Sequence, residues 1–278
     1  MKKIGFIDFY LDEWHANNYP AWIQEASGGE LEGAYAYAVI DSPKGGLSTD
    51  GWCKKYGITR CYSMEEVVEK SDCLIVLSPD NAEMHEGLCQ LPLRSGKPTY
   101  VDKTFAPDGD TARRIFAVAE GYGTPCYSSS ALRYAAEYRD ICRYGVTAVT
   151  SVGPSSSFET YCIHQLEPIM MLIDSPVEKV MYIPAERSHT VLLSFADGRQ
   201  ASMTGFLDGA VFTLNVAAEG GNSSASAKSD FFHEFILELC DFLQTGEEKV
   251  SHEETIRIMD VRGAAIRAEK TPFQWVSL

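Results

Sequence analysis

The sequence has no apolar run approaching the roughly 20 residues that a membrane-crossing helix needs. Stretches such as 73–77 and 169–173 are of the longest kind present, only a few residues each. Basic residues are in deficit: 24 Lys and Arg against 39 Asp and Glu leave a net charge of −15. Such a surface repels phosphate backbones and anionic headgroups over about a Debye length, which argues against nucleic-acid and membrane-surface partners. None of the 8 cysteines forms a C-x-x-C pair, and Cys73 and Cys162 lie inside apolar segments, as small core residues do. Neither a disulfide framework nor a zinc ribbon is therefore expected, and the setting expected is the reducing cytoplasm. After Lys2 and Lys3 the first apolar stretch meets Asp8 too soon for the core of a signal peptide. Internal repeats are lacking, and the only low-complexity stretch is a small-residue linker at 220–229.

What is present is a chain of 278 residues, 45% hydrophobic and 23% charged, with room for two medium domains that each have a core. Over 1–130 short apolar runs alternate with amphipathic stretches. Residues 3–7, 35–40 (ending at Asp41), 73–77, 99–101 and 125–127 read as strands. Helices are expected over 15–26, 52–56 (closed by Gly57), 64–70, 83–95 (stopped by Gly96) and 108–121, with an irregular segment at 42–49. Ser63 and Glu66 form a capping box for the helix at 64–70. Nearly continuous apolar strands alternating with helices predict a doubly wound parallel sheet covered on both faces. From about 146 the rhythm changes. Residues 191–195, a turn at Asp197-Gly198, then 199–205 and 211–217 read as consecutive antiparallel strands, and 230–244 and 252–268 as closing helices. The expected architecture is thus α/β: a Rossmann-like domain over 1–130, then an α+β domain over 131–278 with a mostly antiparallel sheet. The stripe Phe231, Phe235, Leu239, Phe242 has helical spacing and reads as core.

Several segments in a fixed order carry a resemblance. His15 lies in the helix after the first strand, Asp41 ends the second, and Ser78-Pro79 follows the strand at 73–77 and leads to His85-Glu86. Residues 96–106, GKPTYVDKTFA, follow, and His164 and Glu167 lie in a later helix, ahead of Thr245-Gly246 and the closing helices. Taken together, these segments make the chain resemble the Gfo/Idh/MocA family of NAD(P)-dependent oxidoreductases along nearly its whole length. The resemblance implies hydride transfer at a hydroxyl-bearing carbon of a small polyhydroxylated substrate, as in sugar and polyol dehydrogenases, with NAD or NADP as cofactor. It also implies a homo-oligomer, a dimer or tetramer formed through the exposed face of the second sheet. By the same resemblance Lys103 and His164 are the catalytic pair, facing each other across a crevice between two lobes. Asp8, His15, Asp41, Ser78, Pro79 and Asp102 are the cofactor-facing residues, and Arg133, Tyr161 and Glu167 the substrate-facing ones. No metal is implied.

Three departures stand out. The family's Gly-x-Gly-x-x-Gly/Ala loop after strand one is replaced by Phe9, Tyr10, Leu11, Asp12 and Glu13, which follow Asp8. Glycines there let the backbone approach a pyrophosphate on a helix N-terminus. The bulky residues crowd that approach, and two like charges about 4 Å apart repel by roughly 4 kcal/mol, about a thousandfold in affinity. Asp102-Lys103-Thr104 stands for Glu-Lys-Pro, and Thr160 stands where the family has an aspartate one turn before the helix histidine.

Each candidate also has a plainer reading. Lys103 is either a proton-handling amine at the carboxyl edge of the sheet or a surface lysine past a strand. His164 either accepts a hydroxyl proton or is a satisfied histidine near a helix start. Glu167 either orients His164 or is a first-turn acid favoured by the helix dipole. Asp41 either bonds the adenosine ribose, which favours NAD over NADP, or opens a loop beside Pro43 and Gly45-Gly46. Arg133 either reaches the crevice or makes a helix-surface salt bridge. Asp12, His15, Asn17 and Asn18 form a polar cluster that either caps a helix at Asp12-Glu13 or holds a metal or polyol. The competing function is a family member that has lost the dinucleotide and acts in ligand binding, regulation or non-redox acid–base catalysis.

Overall fold

A computed structural model describes residues 1–43 and 45–278; Lys44, inside the irregular 42–49 segment, lies outside the described residues. The chain divides into two compact units. One comprises Met1–Ala106, Thr111–Ser129 and Phe235–His252, and the other Pro107–Asp110, Ser130–Glu234 and Glu253–Leu278.

In the first unit the expected alternation is present: β1 (Lys2–Asp8), α1 (Trp14–Ala26), β2 (Leu31–Ala38), α2 (Thr49–Tyr56), β3 (Thr59–Arg60), α3 (Met64–Lys70) and β4 (Cys73–Val76). α4 (His85–Leu88), β5 (Thr99–Val101), α5 (Gly109–Tyr122) and β6 (Cys126–Tyr127) follow. The six strands form one parallel sheet in the order β3-β2-β1-β4-β5-β6. Local chemistry sets the element ends. Gly57 stops α2 in the left-handed region at φ 68°. Ser63 Oγ accepts from Glu66 N at 3.2 Å while the Glu66 carboxylate reaches back to Tyr62 N at 2.9 Å, so the capping box is present. A Cβ on Gly5 would stand 2.3 Å from Ser71 Oγ and 2.4 Å from Val67 Cγ1, so only glycine lets β1 lie this close to α3.

Two expectations need correction here. β2 starts at Leu31 rather than Tyr35, although backbone bonds from Val39 N to Asp8 O and Ile40 N to Phe9 O carry its line toward Asp41. The single helix expected over 83–95 is instead a 3-10 turn (Ala82–Met84), α4, and a second 3-10 turn (Pro92–Arg94). Pro92 has no N–H to continue a helix and restricts Leu91, while Gly87 weakens the run before it.

The second unit is built on β7 (Val146–Pro154), α6 (Phe158–Leu172), β8 (Val177–Ala185), β9 (Ser188–Phe195), β10 (Gln200–Phe206), β11 (Thr213–Ala218) and β12 (Ser223–Ser226). α7 (Phe231–Thr245), α8 (His252–Glu269) and β13 (Trp275–Ser277) end the chain. The seven-stranded sheet runs β12-β11-β7-β10-β9-β8-β13 and is antiparallel except where β10 pairs with β7. The Asp197-Gly198 turn joins β9 to β10 as a hairpin, with Gly198 at φ 88°. β10 and β11 are not neighbours, however: β7 is inserted between them, which corrects the expected run of consecutive antiparallel strands. The stretch 220–229 is not a mere linker, since it contains the edge strand β12. α6 buries Cys162, Ile163, Leu166, Ile169 and Met170, and it packs against β7 and β10. Of the expected core stripe, Phe235, Leu239 and Phe242 on α7 are buried, while Phe231 is half-buried. The rings of Phe235 and Phe242 pack in the first unit on Tyr100 (5.6 Å) and Tyr127 (4.7 Å). Among the described residues no helix is long and apolar enough to cross a membrane.

Candidate functional site

In the first unit β1 and β4 lie side by side where the strand order reverses, and ligands of open parallel sheets bind past the carboxyl ends of strands at such a point. Asp8 ends β1, Ser78 and Pro79 follow β4, and Asp102 and Lys103 follow β5. Ser78 is held at φ 97°, a backbone state costing about 1–3 kcal/mol in a non-glycine residue, and its hydroxyl donates to Asn81 O at 3.2 Å. Pro79 beside it is buried. Asp102 is fully buried, and one of its oxygens accepts from Lys103 N at 2.9 Å and from the Tyr100 hydroxyl at 3.2 Å. The other oxygen meets Nδ1 of His15, whose ring stacks on Tyr19 at 5.0 Å. Burial alone would raise the Asp102 carboxyl, but His15 and then Lys103 outweigh it and hold the group below its ordinary value. Lys103 itself is half-buried, and its peptide bond to Thr104 is cis. His85 bears on this edge structurally. Fully buried, it places Nε2 2.7 Å from Leu77 O and Nδ1 3.0 Å from Phe105 O, tying the turn after β4 to the segment after Lys103.

The segment in place of a glycine loop is closed on itself. Glu13 caps α1: its carboxylate accepts from His15 N at 2.7 Å and from Ala16 N, while its carbonyl accepts from Asn17 N at 2.9 Å. Burial pushes Glu13 up to about 7, against the lowering effect of His15. Burial, and next the charge of Glu13, also drive Asp8 well above the ordinary carboxylate range, and its Oδ2 has no hydrogen-bond partner. Asp12 accepts from Asn17 Nδ2 at 3.0 Å and from Leu47 N at 2.7 Å. Capping is thus what Glu13 does, while Asp12 ties the Asn17 side chain to Leu47. A pyrophosphate seated on a helix needs its first N–H groups, and here those of His15 and Ala16 are already bonded to the Glu13 carboxylate. The residues present do not fit a dinucleotide held on α1. Asp41 stands apart, on an exposed loop, where Oδ1 accepts from Thr49 N (2.7 Å) and Thr49 Oγ1 (2.9 Å). The Thr49 bonds hold its carboxyl below the ordinary value.

The second unit brings together His164, Tyr161, Glu167 and Arg133. His164 and Glu167 lie in the middle of α6, not at its start, so Glu167 is no first-turn acid. It is buried, accepting from Ser130 N at 2.7 Å and from Arg133 Nε at 2.9 Å. Pro168 within α6 has no N–H to give to the His164 carbonyl one turn back. Arg133 is likewise not on a helix surface: it is enclosed between Glu167 and Glu254. Burial opposes its charge, but those two carboxylates prevail and raise its pKa above the ordinary value. Burial raises Glu167 despite Arg133. His164 Nδ1 lies 2.7 Å from Ser130 Oγ, and the half-buried Tyr161 packs its ring edge-on 5.7 Å away. Ser130 had no signal in the sequence, because its partner lies 34 positions away. Glu254 lacked one for the same reason, whereas Glu13 was readable as part of a cap.

No protein-family model matches the chain, and no curated protein sequence matches it. Solved structures do. Myo-inositol dehydrogenase from Lactobacillus casei, in complex with NAD(H) and myo-inositol, superposes with a TM-score of 0.81 at 13% identity, covering 100% of this chain and 96% of that one. GenD2 from gentamicin A biosynthesis, in complex with NAD, gives 0.78 at 13% identity over 100% and 97%. Myo-inositol 2-dehydrogenase from Lactobacillus plantarum gives 0.78 at 14% identity over 100% and 99%. At such identities the likeness speaks for the fold alone: the chain shares the fold of these solved structures over its whole length.

Proposed function

We propose that this chain works on a small polyhydroxylated molecule by acid–base chemistry at a hydroxyl-bearing carbon, within an oxidoreductase-type fold. The observation that supports this most is Asp102, a fully buried carboxylate that fixes both His15 and the backbone of Lys103 past the carboxyl end of β5. Lys103 supplies an amine and His164 an imidazole, whose ordinary pKa of about 6.5 suits proton exchange with a hydroxyl. The residues assigned to binding are Asp8, His15, Asp102, Ser78 and Pro79 in the first unit and Arg133, Tyr161 and Glu167 in the second. A neutral polyol suits the net charge of −15 better than a phosphosugar does.

A second reading, an NAD(P)-dependent dehydrogenase with hydride leaving that carbon for nicotinamide, is favoured by the whole-chain likeness to enzymes solved with NAD. Asp41 would then meet the ribose and select NAD, and the protein would assemble as a dimer or tetramer. Calorimetric titration separates the two. Under the first reading an inositol or sugar alcohol binds saturably and NAD, NADH, NADP and NADPH do not. Lys103→Ala and His164→Asn each abolish polyol binding with the melting temperature unchanged. Saturable dinucleotide binding selects the second reading; no heat from any polyol sinks the first.

A further inference from the structure

We infer that Glu13 is a built-in substitute for a phosphate: its carboxylate closes the anion-binding end of α1 and excludes phosphate-bearing ligands, dinucleotides among them. The inference goes beyond the polyol reading and stands whether or not a polyol binds.

Helix N-termini attract anions because their first N–H groups lack partners and the helix dipole is positive there. In this chain the seat is already taken. Glu13 accepts from two successive N–H groups, those of His15 and Ala16, and the next, Asn17 N, is bonded to the Glu13 carbonyl. Ordinary N-caps are short polar side chains at the surface. Glu13 differs in being a longer carboxylate and in being buried at 8% exposure. Being tethered two and three residues from those donors, it competes with a free anion at an effective concentration of about millimolar or more.

A second observation points the same way. Asp8 ends β1 at 1% exposure, with Oδ2 unpartnered among the described residues, in surroundings where burial already disfavours negative charge, so a phosphate brought there would meet the same penalty. Leu11 is buried as well, and its carbonyl accepts from Glu13 N at 2.9 Å. Leu47 N is bonded to Asp12, and a Cβ on Gly46 would stand 2.4 Å from Asp12 Oδ2, so a larger residue there would displace that carboxylate.

The test titrates inorganic pyrophosphate and, separately, NAD into the full chain, its Glu13→Ser variant and its Glu13→Gln variant. Serine keeps a cap while removing charge and bulk; glutamine keeps an accepting oxygen while removing charge alone. The wild-type chain is expected to give no saturable heat with either probe. Glu13→Ser should bind both at least about tenfold better, as expected for removing one nearby like charge, with a smaller gain for Glu13→Gln. Saturable NAD binding to the wild-type chain that pyrophosphate competes away overturns the inference. So does a folded Glu13→Ser variant, judged by its melting curve, that binds neither probe better than wild type. If the serine variant does not fold, Glu13→Gln decides by the same criterion. Polyol titrations of the same samples report on the proposed function independently.

Discussion

Each unit holds one candidate histidine against a polar side chain, His15 in the first and His164 in the second, but the partners differ in kind. In the first, His15 faces the buried carboxylate of Asp102, which is held charged although it is fully buried. In the second, His164 faces a hydroxyl, that of Ser130, while the nearby carboxylate of Glu167 is spent on Arg133 and on Ser130 N. A carboxylate bond is charge-assisted and fixes its partner strongly; a neutral hydroxyl bond orients a ring while leaving the charge to be set by what comes next. The first arrangement braces a scaffold. The second leaves the imidazole without a charged partner on Nδ1, which is why the proposed function gives proton exchange to His164 rather than His15.

The sharpest way to break this contrast is Asp102→Ala. It removes the acceptor for His15, Tyr100 and Lys103 N at once. Breaking a buried pair on one side costs about 4 kcal/mol, so a denaturant midpoint measurement should show a loss of that order. A loss under about 1 kcal/mol, the worth of one neutral hydrogen bond, would erase the distinction.

Next in size comes Arg133→Ala, which tests where the second unit keeps its charge bracing. Without the guanidinium, Glu167 is left buried beside Glu254, at an expected cost of about 3 kcal/mol near neutral pH. Burial already raises the Glu167 carboxyl, so its folded form prefers the proton more than the unfolded chain does. The loss should therefore be smaller at acid pH, where Glu167 is neutral, than at neutral pH. A loss that grows on acidification contradicts this.

A third expectation concerns the first unit alone. Glu13 lies at about 7 and Asp8 is raised well above its ordinary value, both through burial first. A folded-state pKa above the unfolded one means that the folded state binds more protons. The stabilisation is then fully present below the unfolded pKa of about 4.3 and is lost as pH rises through the folded value. For Glu13 this amounts to about 3–4 kcal/mol, so the melting temperature should fall between about pH 5 and pH 7. Glu13→Gln should flatten that fall. Asp102 contributes with the opposite sign, its stabilisation disappearing only under strongly acid conditions. An unchanged slope in Glu13→Gln would remove Glu13 as the cause.

The two units also differ in how much of them the sequence discloses. In the first, the parallel sheet was legible because each strand is a short apolar run and each cap is local: Ser63 with Glu66, and Gly57 after α2. Helix 83–95 failed because periodicity says nothing of Pro92 opening a new turn. In the second, the Asp197-Gly198 hairpin was legible for the same local reason. The insertion of β7 between β10 and β11 was not, since strand order within a sheet is decided by pairings distant in sequence. Candidate residues follow the same rule. Asp102, Lys103 and His164 lie in segments with a recognisable order, whereas Ser130 becomes a partner of His164 only when the chain folds.

Ser130→Ala is the smallest and most discriminating change. Its hydroxyl meets His164 Nδ1 at 2.7 Å and accepts from Leu132 N at 3.3 Å, while its own N–H stays on Glu167 through the backbone and survives the substitution. Stability should fall by only about 1 kcal/mol, the net worth of a neutral hydrogen bond. The informative readout is the ring itself. With its Nδ1 partner gone, His164 should change its titration midpoint and its ring nitrogen resonances in NMR, while those of His15 stay put, and Ser130→Thr should restore them. If the His164 signals are indifferent to Ser130, the hydroxyl orients nothing, and the contrast between a charge-braced and a neutrally held histidine reduces to a difference in burial.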